Sequence, residues 1–495
     1  MKHPRPTAAD RGFRLALLAC LAAALFPLWA VRYLPMVDLP QHAAQVAIWQ
    51  AWDDPALGYA KLYEFNFFTP YLLGYSIARA LAAVMGPFLA IKAVVTLAVL
   101  GLPLAAWRAL RAVDAEPWPA LLTLPLAFGF SFYWGFLNYL IAVPLGLLYL
   151  AEVLHYRRRP TGIRALWLGG AGILLFFGHV LALGVVGLLA LSLLLPGSPR
   201  PGALLRRLGP LLTPLPLALA WILRALGAES QVHLGTTWGP LLRRLPEWPG
   251  TLLGGARDPL AAGALLLGVL LLPAAGVRPR RGGRLGPSLV LATAVYLLFP
   301  VFGFGVAMLY QRFAIFLALL LILTLRMPAA GRRRQVAAGL IVLLVVGWMG
   351  VLTARHRIFD RQARNIDPII ETLEPGRSLR MLIFDLRSPG IAAEFPVFMH
   401  HPVWYQVMRG GFVSFSFAQH YPELLRYRRQ PSAAVPIGYE TSPEKFSWVR
   451  ERHLYDAFVV RANSERWRRL FRGSEGQIRE TVHSGRWWLL EKVSR

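Results

Sequence analysis

Long apolar runs separated by short, arginine-rich loops set the pattern of residues 1–354. The first run extends from about Phe13 to Tyr33, behind a basic flank of Lys2, Arg5 and Arg11. Several runs reach the roughly 17–25 residues that carry a helix across a bilayer. Barrel strands are only about ten residues long and alternate in polarity, so a β-barrel is excluded. No small-x-small cleavage site follows the first run, which predicts an uncleaved signal anchor with its N-terminus in the cytoplasm.

Positive clusters order the remaining spans. Arg108 with Arg111, Arg157 to Arg159, Arg200 with Arg206 and Arg207, Arg278 to Arg284, and Arg332 to Arg334 mark successive inside loops. Out-and-back helix pairs fit between them at about 118–134 with 136–155, 163–178 with 180–195, 208–227 with 259–275, and 287–304 with 311–326. Residues 88–108 run inward and 335–353 outward. The apolar segment 67–85 is left without a crossing. It holds Pro70 and Arg79 and stops at Gly86-Pro87, which predicts a re-entrant or surface helix. The expectation is an α-helical polytopic membrane protein of about eleven spans. Two long loops, 34–66 and 228–258, fall outside. The second carries Gln231, His233, Trp238, Arg243, Arg244 and Trp248.

Beyond residue 355 the pattern becomes charged and mixed. Short β-like runs stand at Arg380–Leu386, Asp456–Arg461 and Trp487–Glu491, with helix-like segments at Ile366–Leu373 and Pro422–Arg429 between them. Residues 355–495 are therefore expected to form a small extramembrane α/β domain on the outer side, and residues 1–354 the transmembrane helical domain. There is no internal repeat and no low-complexity tract.

Composition supports the membrane assignment. Hydrophobic residues make up 56% of the chain and charged ones 16%, too few to cover a soluble surface. The net charge of +27 comes largely from loop arginines, which the positive-inside rule explains without a nucleic-acid partner. Cys20 is the only cysteine, which excludes an intrachain disulfide and a cysteine metal site.

Candidate chemistry begins at Val37-Asp38-Leu39-Pro40-Gln41-His42, just past the first span. Asp38 is the first acidic residue after that span. Aspartate suits the cap before a helix and proline its first turn. Ala43 to Trp52 would continue as an amphipathic helix on the membrane surface. Two readings stay open: an ordinary N-cap with a solvated His42, or a carboxylate held in a fixed direction toward a ligand.

Further along, Arg312 in Tyr310-Gln311-Arg312-Phe313 opens an inward span from the outer side. There it can meet a lipid phosphate or snorkel to the interface. His179 lies at the outer turn between two short spans, and Arg243 and Arg244 lie in the second outer loop. The stretch Phe130 to Tyr139 is read either as an interfacial aromatic belt or as a stacking wall. In the second case Tyr133, Trp134, Asn138 and Gln311 would line a substrate. His400, His401 and His420 sit in aromatic-rich stretches of the C-terminal part and are read as domain core and surface.

The order of these features resembles glycosyltransferases of the GT-C class: a first span, an outer loop opening on an acid and a helix, many spans, and an outer C-terminal domain. Asp38-Leu39-Pro40-Gln41-His42 is similar to the Asp-x-Pro-x-His start of that loop in bacterial members. The resemblance implies a bacterial inner-membrane enzyme whose donor is a sugar on a polyprenyl phosphate. Its acceptor would be a glycan, lipid or protein. It places Asp38 in the role of general base or acceptor-positioning group, with His42 beside it. A hydroxyl acceptor needs such a base, and an anionic phosphate leaving group needs cations or hydrogen bonds. Arg312 is the main candidate for the phosphate, followed by His179, Arg243 and Arg244. Many members carry a second acid next to the first, where this chain has Leu39; Asp53, Asp54 and Glu64 come later. No cofactor is called for, and a divalent metal shared by Asp38, His42 and His179 is the open alternative. Two rival functions remain: a transporter or flippase for lipid-linked glycans, and a non-catalytic membrane scaffold with an outer binding domain.

Overall fold

The computed structural model describes residues 8–196, 201–227, 235–255, 259–280, 285–303 and 305–493. Lys2, Arg5, Arg200, Gln231, His233, Arg281 and Arg284 lie outside them. The chain divides into two compact units. One comprises residues 1–30, 95–132 and 138–354, the other residues 31–94, 133–137 and 355–495.

The first unit is helical. In the chain as a whole, four described helices can cross a membrane by length and apolar composition: Arg11–Trp29, Leu72–Ala112, Leu137–Arg158 and Arg332–Thr372, the second and fourth of which are divided between the two units. Leu204–Leu212 and Leu215–Gly227 form a pair bent by 45°. Gly162–Gly178, Val180–Leu194, Leu265–Ala274, Gly286–Leu298 and Leu309–Thr324 are shorter apolar helices. Many of these expose leucines, among them Leu15, Leu166, Leu219 and Leu270, as helices facing hydrocarbon do. The fold is thus a polytopic helical membrane fold with a small sheet near its C-terminus.

Two segments differ in detail from the sequence expectation. Residues 118–134 are not one helix: they form Trp118–Leu122, Thr123–Leu126 and Phe130–Trp134. Pro119, Pro125 and Gly129 interrupt the run, because proline removes an amide donor and crowds the preceding turn. Residues 72–112 form one long helical segment broken at Gly86, whose φ of 75° and ψ of 161° are not helical. The break coincides with the Gly86-Pro87 stop seen in the sequence.

The second unit holds the sheet. Its five strands run in the order Ile478–Ser484, Trp487–Lys492, Ala457–Arg461, Ser378–Ile383 and Phe412–Val413. The first three are antiparallel neighbours, and the last two join in parallel. Ala457–Arg461 is buried along its whole length, which its run of Phe458, Val459 and Val460 requires. Phe446, Trp448, Phe458, Phe471 and Trp488 build the core beside it.

A second, two-stranded sheet joins distant parts of the sequence. Tyr63–Phe65, from the first loop, pairs antiparallel with Leu425–Tyr427. Within 422–429, where a helix was expected, Leu425–Tyr427 is therefore a strand flanked by turns and bends. Its Tyr427 ring stacks on Tyr63 at 5.1 Å. The first loop and the C-terminal segment thus share one core.

Candidate active site

The approach to Asp38 is tied down before the residue is reached. Lys92 donates to the carbonyls of Val31 and Arg32 at 2.8 and 3.3 Å. The Tyr33 amide donates to Asp360, and the Tyr33 hydroxyl to Asp367. Val37 and Asp38 then run along Tyr133 and Trp134, with Val37 N–H donating to Tyr133 O at 2.9 Å and Asp38 N–H to Trp134 O at 3.0 Å. This contact requires Gly135. Its φ is +84°, and a Cβ there would lie 2.7 Å from Asp38 N.

Asp38 stands at the N-cap of the Leu39–Gln50 helix, but its side chain caps no amide. The ordinary-cap reading therefore fails: the cap is held by backbone, and the carboxylate points elsewhere. The helix is not amphipathic either. Every residue from Leu39 to Ile48 is buried. Gln41 and Gln45 attach it to the C-terminal segment through the backbones of Phe415, Phe417 and Leu425. Without that segment the sequence leaves the helix no partner but a membrane surface.

The Asp38 side chain is 13% exposed and has His400 Nε2 3.6 Å from Oδ1. Burial, with His420 and His42 near, lowers the His400 pKa to about 3. The ring is therefore neutral at physiological pH, and the contact is a carboxylate against an uncharged imidazole rather than an ion pair. His400 stacks on Phe415, and Phe417 meets the rings of His400, His42 and His420 edge-on.

His42 is buried, not solvated. Its Nδ1 lies 2.7 Å from the Tyr75 hydroxyl, which lies 2.5 Å from Glu423 Oε2. Burial lowers the His42 pKa to about 4 and raises that of Glu423 to about 7. Tyr133 packs on Phe395, and its hydroxyl is 3.2 Å from His356 Nε2; Trp134 stacks on Phe136. These two residues serve Asp38 through their backbones.

The other candidates lie in the helical unit. Arg312 is in the first turn of the Leu309–Thr324 helix, behind Met308 at φ 60°. Its main-chain carbonyl accepts from the Tyr139 hydroxyl at 2.6 Å, and its guanidinium reaches Ala307 O at 3.4 Å. The Tyr139 ring meets His179 edge-on at 5.2 Å. His179 caps the Val180–Leu194 helix, its Nδ1 accepting from Leu181 N–H. Gln311, Arg312, Tyr139 and Thr251 line the polar part of a cavity whose other walls are Phe130, Leu102 and similar side chains. Asn138 is buried beside Tyr139 in sequence, with Oδ1 accepting no hydrogen bond.

Arg243 and Arg244 are separated by their helix, Leu241–Leu252. Arg243 is exposed, whereas Arg244 is 1% exposed. Arg244 donates to the carbonyls of Tyr296, Leu297 and Phe299 and lies over the Tyr310 ring at 4.1 Å. It closes the end of the Gly286–Leu298 helix, a use for arginine that competes with phosphate binding. Among the described residues no group of three or more His, Cys, Asp or Glu side chains is arranged to hold a metal.

No family model matches the sequence, and no curated protein does. A solved structure, the crystal structure of ArnT from Cupriavidus metallidurans in the apo state, matches with a TM-score of 0.60 at 12% identity. The match covers 98% of this chain and 99% of that one. The fold is GT-C-like.

Within this GT-C-like fold, sequence reasoning passed over Tyr75, Glu423 and Gly135. His400 and His420 were assigned to core and surface. Glu423 carried no local motif, and Tyr75 belonged to a segment expected to be re-entrant or to lie along the surface. The signal for Gly135 was present: a glycine inside an aromatic run is a position for close backbone approach.

Proposed function

We propose that this protein is a membrane glycosyltransferase moving a sugar from a polyprenyl-phosphate carrier to a hydroxyl acceptor outside the cytoplasmic membrane. The observation that carries the reading is Asp38, a carboxylate at a rigidly held helix start that caps no amide and faces a neutral imidazole. The GT-C-like fold and the likeness to ArnT support the same class of reaction.

In this reaction the acceptor oxygen attacks the anomeric carbon as its proton passes to the Asp38 carboxylate. The bond from that carbon to the phosphate oxygen breaks, and the electron pair leaves with the polyprenyl phosphate. Arg312 is assigned to the phosphate, with His179, since a guanidinium in a helix's first turn adds its charge to the positive end of the helix. Arg243 stays a secondary candidate. Arg244 is better accounted for as a helix-end contact. Gln311 and Asn138 are assigned to substrate polar groups, and Tyr133 and Trp134 to holding Asp38.

The test compares Asp38→Asn with wild type in membranes, scoring consumption of polyprenyl-phosphate sugars. Loss of turnover with normal protein levels supports the reading. Unchanged turnover removes Asp38 as base. Binding of lipid-linked glycan with no consumption by the wild type would favour the transporter or scaffold.

A further inference from the structure

The Leu241–Leu252 helix has three faces, and protein contacts account for only one of them. At about 100° per residue, Arg244 and Trp248 share a side. Arg244 donates to the carbonyls of Tyr296, Leu297 and Phe299, and the Trp248 indole to Ala314 O at 3.2 Å. The Tyr296 hydroxyl donates back to Arg244 O at 2.7 Å. Turning one way from this protein face, the helix shows Leu241, Leu245, Pro249, Leu242 and Pro246, all exposed. Turning the other way, it shows Glu247, which accepts from the Tyr310 hydroxyl, and the exposed Arg243.

A helix against water turns its polar residues outward. Here the outward arc is largely apolar, with Leu242 91% exposed and Leu245 63%. Trp238, just before the helix, is exposed as well, and its indole N–H donates to Leu298 O at 2.9 Å. Leu298 is itself exposed at the end of the apolar Gly286–Leu298 helix. The apolar arc therefore joins the surface that this helix offers to hydrocarbon.

The contacts also fix the depth. Tyr310 and Ala314 stand in the first turns of the Leu309–Thr324 helix. The far end of that 16-residue helix, about 24 Å away, lies among arginines. There Arg280 N–H donates to Thr324 O, and Arg278–Pro279 pairs with Leu325–Arg326. With 12 residues, the Leu241–Leu252 helix is about 18 Å long, too short to cross about 30 Å of hydrocarbon.

We propose that the Leu241–Leu252 helix is an interfacial helix, seated in the lipid leaflet opposite the arginine clusters. Leu241, Leu242 and Leu245 enter the acyl region, and Trp238 and Arg243 stand at the headgroups. Tryptophan and arginine suit that boundary, and a short helix with separate apolar and cationic sides lies in its plane. The occupant is the bilayer, because lipid already reaches the edge of the arc at Leu298. Thr251 and Leu252, at the other end of the helix, line the cavity that holds Gln311 and Arg312. The leaflet thus holds one wall of that cavity in place.

The experiment puts a nitroxide on one residue at a time in the full-length protein, in nanodiscs of phosphatidylethanolamine and phosphatidylglycerol. Cys20, the only cysteine, is buried and is changed by Cys20→Ala. Leu242→Cys, Leu245→Cys and Arg243→Cys are then labelled separately. Oxygen concentrates in hydrocarbon and a nickel chelate stays in water, so the ratio of their collisions with the label reports depth. The oxygen-to-nickel ratio is expected to be severalfold higher at 242 and 245 than at 243. Equal ratios with strong nickel collisions at all three sites put the helix in water and overturn the proposal. A label at 242 that meets neither reagent places a protein partner on the arc and overturns it too. If the Cys20→Ala protein does not fold, Cys20 is kept, its burial shields it from the label, and the protein without an added cysteine serves as the blank.

Discussion

Asp38 and Gly135 meet backbone to backbone, closely enough that a Cβ on residue 135 would lie 2.7 Å from the Asp38 nitrogen and 3.0 Å from that of Leu39. The position of the candidate base therefore depends on a residue almost a hundred positions away that contributes no side chain. Gly135→Ala should cost on the order of 1–3 kcal/mol through its φ of +84° and more through the clash. Thermal unfolding of the purified variant checks this. Turnover should fall with it, since the Val37–Leu39 backbone must move.

Asp38→Asn should lower turnover by about 10²–10⁴-fold, the range ascribed to a positioned general base. Because the side chain caps no amide, the same change should leave the melting temperature nearly unmoved. A large stability loss with retained turnover would return Asp38 to a structural role. Parallel melting curves and donor-consumption rates on one preparation separate the two outcomes.

Arg312→Ala and Arg244→Ala should behave differently. Loss of the Arg312 guanidinium should reduce kcat/KM for the lipid-linked donor by about 10–100-fold, the worth of a charged hydrogen bond. Its effect on stability should be small. Arg244→Ala should instead destabilise the protein by roughly 2–4 kcal/mol, because three carbonyls lose their shared donor in a buried setting. Steady-state kinetics and thermal unfolding on both variants check the contrast.

Acid should weaken the second unit. His42, His400 and His420 have pKa values lowered from 6.5 to about 4, 3 and 4 by burial. The unfolded chain binds protons that these rings refuse, so their stabilising contribution is complete above about 6.5 and lost as pH falls toward 4. Each ring costs about 1.4 kcal/mol per pH unit in that window. Glu423 acts oppositely: raised from 4.5 to about 7, its contribution is complete below 4.5 and lost as pH rises through 7. Three slopes outweigh one, so melting temperature should peak near neutrality and drop on acidification. Replacing His400 with Phe should flatten the acid side.

Much of the helical architecture was legible along the chain. Apolar length, loop arginines and the Gly86-Pro87 pair are local properties that marked the long helices and the break at Gly86, while the short β-like runs Arg380–Leu386, Asp456–Arg461 and Trp487–Glu491 overlap the strands Ser378–Ile383, Ala457–Arg461 and Trp487–Lys492. Residues 422–429 were misread because a short amphipathic pattern does not distinguish a helix from a strand. The extended state of Leu425–Tyr427 comes from pairing with Tyr63–Phe65.

The candidate site divides in the same way. By itself the sequence determined that an acid, a proline and a histidine follow the first span, and that this acid opens a helix. Whether its carboxylate caps that helix or faces a ligand was undecidable there, since both readings use the same five residues. Tertiary structure decided the first of these: the side chain caps no amide. The carbonyls of Tyr133 and Trp134 hold the cap region by backbone, Gly135 allows the approach, and the segment from His400 to Glu423 encloses the helix. Hydrogen bonds and burial across hundreds of residues leave no trace in local periodicity, because each partner is an ordinary residue in its own stretch and acquires its chemistry only from what packs against it.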